Sequence, residues 1–346
     1  MGRVKRDSGK VWIDGVPDLN WGTRRECTFC GAFEAALAVT DQPHTYTNLM
    51  GYTAQAFRVR WYKGHTGQTW CPSSPCGEFP DEIAAAQKAT GWRFRMEMRL
   101  DQENPDMADL APDIVASIDK GVPVIGYEPG LNAGVIYGYE NNGEMLLMRD
   151  YMTRDSDTLC IAPSKLGAFL IMLQERTVPP SRRDAIVEGL GLAVTNARRD
   201  PMQAPKGQYH YGDAALSEWA GDIAKAGDLS EGERKNLFFV SWWNYTSLHD
   251  ARLAGAVFLR DAASVLPAAA DALRAAADAY GKQAEHLGRA FDPPDAFFGW
   301  SGKSIDDWTD DVRKREHDVL VTARELDAAG IGAIEKVLAA AGASEV

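Results

Sequence analysis

The stretch GVPVIGYEPGLNAGVIYGYENNGEMLLMRDY, Gly121 to Tyr151, decides how this chain folds. VPVIGYE is an apolar run of strand length, and AGVIYGYE follows it. NNG follows, then EMLLMRDY. Asn142-Gly143 supplies the left-handed dihedrals that a tight hairpin demands. The pattern predicts a β-hairpin pairing Val135–Tyr139 with Met145–Arg149, and hence an antiparallel sheet.

Outward from the hairpin, GAFEAALAV, DEIAAAQKATG and LAPDIVASIDKG read as helices. In the last, Pro112 fits an early helical turn and Gly121 a C-terminal cap. LCIAP reads as one further strand. From about Ser181 onward the text is alanine-rich and almost wholly helical. TVPPS breaks both patterns, so a boundary is expected between Thr177 and Arg183. The expected architecture is α+β: an N-terminal domain over 1–178 with an antiparallel sheet, then an all-helical domain over 179–346.

Of the 346 residues 45% are hydrophobic and 25% charged, enough to bury a real core. The net charge of −12 and the lack of any sustained Lys/Arg cluster argue against nucleic-acid binding. MGRVKRDSGK is basic, but no apolar segment follows it as in a signal peptide, and AGAVFL is too short to span a bilayer. The expectation is a soluble cytoplasmic protein that binds no membrane; a homodimer is the default for such proteins. Five cysteines, an odd and sparse set, point to reduced thiols.

Two of those thiols lie in RRECTFCGAFEAALAV, Arg24 to Val39. A helix N-terminus favours a thiolate, because unpaired N–H groups and the helix dipole stabilise negative charge there. Cys30 opens the apolar helical run and suits that role. A cysteine nucleophile then needs an imidazole in hydrogen-bond reach and a group that orients the ring.

CTFCGAFEAA resembles the nucleophile helix of papain-like cysteine peptidases, with Cys30 at the catalytic cysteine. The Gly121–Tyr151 segment resembles the second half of that site in bacteriocin-processing peptidases, where a histidine opens the strand and an Asp or Asn follows the hairpin. With LMGYTAQAFRVRW, Leu49 to Trp61, the chain is most similar to the family around the butirosin-pathway acyltransferase. The resemblance implies a papain-like domain, a helical partner domain, and transfer of an acyl group from an acyl carrier protein to an amine. On that pattern the histidine position falls on Asn132, the orienting acid on Asp150, and the oxyanion glutamine on Arg24. Asparagine carries no basic nitrogen, so the proton acceptor is missing.

Three readings stand side by side: a rewired papain-like domain that binds a ligand, an enzyme that recruits another histidine, or a structural thiol site. For the second, His65 and His210 are the candidates. His65 lies in WYKGHTGQTWCPSSPCGEF, a long irregular loop of the kind that carries function. His210 lies in GQYHYGD, read as a turn before a helix. His249 adjoins Asp250, but neighbours on a helix do not share a face. Cys27, Cys30, Cys71 and Cys76 offer four thiolates to zinc, but a lone CxxC is a weak signal, and neither metal nor cofactor is expected. In NLFFVSWWNYTSLHD the aromatics fall on two helix faces, as in a helix buried nearly all round. The leading expectation is a non-peptidase that holds a small polar or amine-bearing molecule in the interdomain cleft. The alternative is a transferase working through a thioester at Cys30.

Overall fold

A computed structural model describes residues 1–63, 79–99, 105–129, 132–153, 158–204, 207–291, 297 and 304–343. The chain divides into two compact units. Met1–Leu49 with Ala86–Pro179 form the first, and Met50–Ala85 with Pro180–Val346 the second. Residues Met50–Ala85 therefore group with the C-terminal residues, a division that a single cut near residue 178 does not provide.

In the first unit β1 (Val4–Asp7) and β2 (Lys10–Ile13) form a hairpin from the basic opening segment. Then comes α1 (Thr28–Ala38). Next in the chain are α2 (Tyr46–Tyr52), β3 (Arg60–Lys63) and α3 (Phe79–Thr90). The unit continues with β4 (Trp92–Met98), α4 (Ala111–Asp119), β5 (Val124–Tyr127), β6 (Ala133–Glu140), β7 (Met145–Arg149), β8 (Leu159–Ile161) and β9 (Phe169–Arg176). The strands make one antiparallel sheet in the order β1-β2-β6-β5-β9-β4, with β7 joining β6 to β8. β6 is its spine: β7 runs along one edge, while β5 and β2 share the other. The expected hairpin is present, with Val135 opposite Arg149. Asn141, Asn142 and Gly143 all take positive φ at its turn. α1 and α4 pack on β5 and β6.

The second unit contains α5 (Arg182–Ala197), β10 (Met202–Ala204), β11 (Gly207–Tyr211), α6 (Gly212–Ala224), α7 (Glu231–Val265), α8 (Ala270–Gly288) and α9 (Asp310–Ala343). It is helical but not all-helical. GQYHY is a strand, not a turn, and β10-β11-β3 form a small antiparallel sheet. Five residues are too few for the alternation of Tyr209 and Tyr211 with their polar neighbours to show as a strand signal.

The segment around β3 is held by α6 and α7. Arg252, wholly buried, donates to the carbonyl of Ala56 at 2.8 Å, to Gln283 Oε1 at 2.6 Å and to Asp327 Oδ1 at 2.7 Å. Trp61 stacks on Trp219 with centroids 4.8 Å apart and donates to Asp222 at 2.7 Å. α7 is one helix of 35 residues, opened by a capping box of Ser230 and Glu233. Its aromatic run is buried on one face only: Tyr245 is enclosed, whereas Phe239 is 42% exposed. No helix among the described residues is long and apolar enough to cross a membrane.

Candidate functional site

The start of α1 is built around two buried thiols. Cys27 is the N-cap residue, and Cys30 lies three residues on, inside the first turn, with no solvent exposure. The N–H of Cys27 donates to Tyr46 Oη at 3.1 Å, and its carbonyl accepts from Gly31 N at 3.0 Å. Glu34, one turn beyond Cys30, pairs with Arg25 and accepts from Tyr46 N at 2.9 Å. That ion pair raises the Arg25 pKa further, chiefly through the hydrogen bond to Glu34. The chain entering α1 is thus tied to α1 and to the start of α2.

The strand that faces this turn begins at Ala133. Its N–H donates to Thr28 Oγ1 at 3.1 Å, joining the first residue of β6 to the first residue of α1. Asn132 is the residue immediately before it. Glu128 and Asn132 close the β5–β6 hairpin, continuing the register in which Tyr127 opposes Ala133. Glu128 N donates to the Asn132 carbonyl at 3.1 Å. Glu128 Oε1 accepts from both Asn132 N at 3.0 Å and Asn132 Nδ2 at 2.9 Å.

Asp150 follows β7 and is 5% exposed. Its Oδ1 accepts from the N–H of Thr153 at 2.7 Å, so the acid is held by a nearby backbone N–H and not by the side chain of Asn132. The next residue, Tyr151, reaches α1. A Cβ placed on Gly31 would lie 1.9 Å from Tyr151 Oη, which accounts for the glycine in CGAF. Tyr151 also packs on Trp21, with centroids 4.7 Å apart. The fold therefore gathers Cys27, Cys30, Asn132 and Asp150 at neighbouring ends of α1, β6 and β7.

Arg24 is exposed, precedes the helix and takes a φ of 61°. His210 is in β11 of the second unit. His65, Cys71 and Cys76 lie outside the described residues, and so do Phe298 and Trp300 of the aromatic loop FDPPDAFFGWSGKS. His44 is in the first unit, where burial and the charge of Arg176 lower its pKa.

Glu128, Thr28, Tyr46 and Tyr151 are not legible as site residues in the sequence. For Glu128 a signal exists: in YEPGLN an acid and an amide flank a Pro-Gly turn at the spacing of a closing hairpin pair. Chemically, the site holds thiols at the positive end of a helix and a neutral amide at the strand start. It offers carboxylates on Glu128 and Asp150 as hydrogen-bond acceptors. No protein-family model matches the chain, and no curated protein matches it.

Proposed function

We propose that the chain is a catalytically altered papain-like protein, related to the butirosin-pathway acyltransferase family, that binds a small polar or amine-bearing molecule beside α1 and β6. In this reading it has no peptidase activity and works in the cytoplasm. The observation that carries it is the Asn132 side chain, just before β6, donating to Glu128 at 2.9 Å; the resemblance assigns this residue to the family's base position. An amide can position a ligand through hydrogen bonds, but it cannot take a proton from a thiol near neutral pH. Cys30, Asn132 and Asp150 keep the family's order while the proton acceptor is gone.

The second reading is acyl or peptidyl transfer through a thioester at Cys30. It is favoured by one feature, the location of Cys27 and Cys30 in the first turn of α1, where N–H groups stabilise a thiolate or an oxyanion. It requires an imidazole at the sulfur, with His65 and His210 as the donors to test. Site-resolved thiol labelling of the parent chain beside Asn132→His separates the two readings. Slow labelling of Cys30 in the parent, accelerated in the variant, supports the altered site. Rapid labelling that depends on His65 or His210 supports the transferase.

A further inference from the structure

We propose that Glu128 is the positioning residue of this site. It fixes the amide of Asn132 with one Nδ2 hydrogen on the carboxylate, so that the carbonyl oxygen Oδ1 is turned away from Glu128 and offered to a ligand; the site then favours ligands that donate N–H or O–H. The inference rests on the reading that the α1–β6 region is a ligand site.

An asparagine amide can normally present either end, since donor and acceptor differ by a half-turn of one torsion. Here the choice is removed. Nδ2 donates to Glu128 Oε1 at 2.9 Å, and the backbone N–H of the same residue donates to the same oxygen at 3.0 Å. A flipped amide would set two oxygens against each other, so the carboxylate specifies the orientation. The main chain that carries the carboxylate is itself held, because Glu128 N donates to the Asn132 backbone carbonyl at 3.1 Å in the hairpin-closing pair. Asn132 is tied to the thiol helix through its neighbour, whose N–H donates to Thr28 Oγ1 at 3.1 Å. Asp150 does not share this task, since its Oδ1 takes the Thr153 N–H. In a papain-like site a carboxylate or amide orients the base; here Glu128 orients the amide that stands in the base's place.

The test uses two alkylating probes of matched reactivity, iodoacetamide, which carries N–H donors, and its N,N-dimethyl analogue, which carries none. The rate ratio at whichever of Cys27 and Cys30 labels is divided by the ratio at Cys160, which is exposed and serves as an internal reference. One hydrogen bond from probe to Oδ1 is expected to favour iodoacetamide about fivefold in the parent. Glu128→Ala should bring the ratio to about one, and Glu128→Gln, which keeps an acceptor oxygen, should retain most of it. In parallel, NMR should show slow exchange of the Asn132 side-chain N–H in the parent and fast exchange in Glu128→Ala. An unchanged ratio or an unchanged Asn132 exchange rate in Glu128→Ala overturns the proposal; if neither thiol labels, the exchange measurement alone decides. Rapid histidine-dependent labelling of the parent would sink the altered-site reading while leaving the Glu128 comparison readable.

Discussion

Asn132 gives two nitrogen donors, one from backbone and one from side chain, to a single oxygen of Glu128, at 3.0 and 2.9 Å. The amide is therefore neither loose nor vestigial. It is built into the hairpin that delivers β6 to the first turn of α1, where Ala133 N meets Thr28 Oγ1 at 3.1 Å. The same bonds that hold the hairpin fix the orientation of the Asn132 amide.

Gly31→Ala tests whether the glycine beside Cys30 serves packing. The added Cβ would meet Tyr151 Oη at 1.9 Å and Cζ at 3.2 Å, and Tyr151 is only 3% exposed. Overpacking of this kind costs about 1–3 kcal/mol, partly offset by the ~1 kcal/mol gain in helix propensity. The expected net loss in urea unfolding is about 1 kcal/mol, most of it recovered on adding Tyr151→Phe, which removes the clashing oxygen. A higher midpoint for Gly31→Ala alone would show that Tyr151 does not rest on α1.

What the sequence discloses and what it hides follow from range. The hairpin of β6 and β7 is written in adjacent residues, so alternation and the Asn-Asn-Gly turn reveal it. β4 is not, because WRFRMEM carries charges along an edge strand, where they blunt unwanted pairing and blur the apolar period. The grouping of Met50–Ala85 with the helices rests on bonds such as Arg252 to the Ala56 carbonyl, nearly two hundred residues apart, which no local pattern records. For the proposed site, the resemblance singles out Cys30, Asn132 and Asp150 by their order in the chain. The bond of Glu128 to Asn132 appears only once the hairpin closes.

Glu316 should make the helical unit lose stability as pH rises. It is wholly buried in α9, and its oxygens accept from Ser241 Oγ and, at 2.6 Å, from Trp308 Nε1, both neutral donors. Burial raises its pKa to about 7. The folded state therefore binds a proton more tightly than the unfolded one. The associated stability is complete below about 4.5, declines as pH rises, and is lost above about 7. The full loss is about 3 kcal/mol. Glu316→Gln mimics the neutral acid and should be more stable than the parent at mildly alkaline pH, with the difference vanishing in acid. Chemical denaturation of both proteins across pH checks this; parallel curves would refute it.

Tyr280→Phe should be neutral or stabilising by up to about 1 kcal/mol. Tyr280 is fully buried, and among the described residues its hydroxyl has no hydrogen-bond partner. Deleting an unsatisfied buried hydroxyl removes a desolvation cost without breaking a bond, and the ring keeps its place under Arg252 at 5.1 Å. Thermal unfolding gives the answer, and a loss of more than about 1 kcal/mol would reveal a hidden partner.

The altered-site reading stands or falls on the reactivity of Cys30. The measurement is alkylation by iodoacetamide across pH, read by mass spectrometry at each cysteine, for the parent and for Asn132→His. In the parent, Cys30 should react slowly near neutrality, because it is fully buried and no base stands at residue 132. In the variant it should react faster, since an imidazolium beside the sulfur stabilises the thiolate. Rapid, selective labelling of Cys30 in the parent, abolished by replacing His65 or His210, would contradict the account and establish a working cysteine–histidine pair.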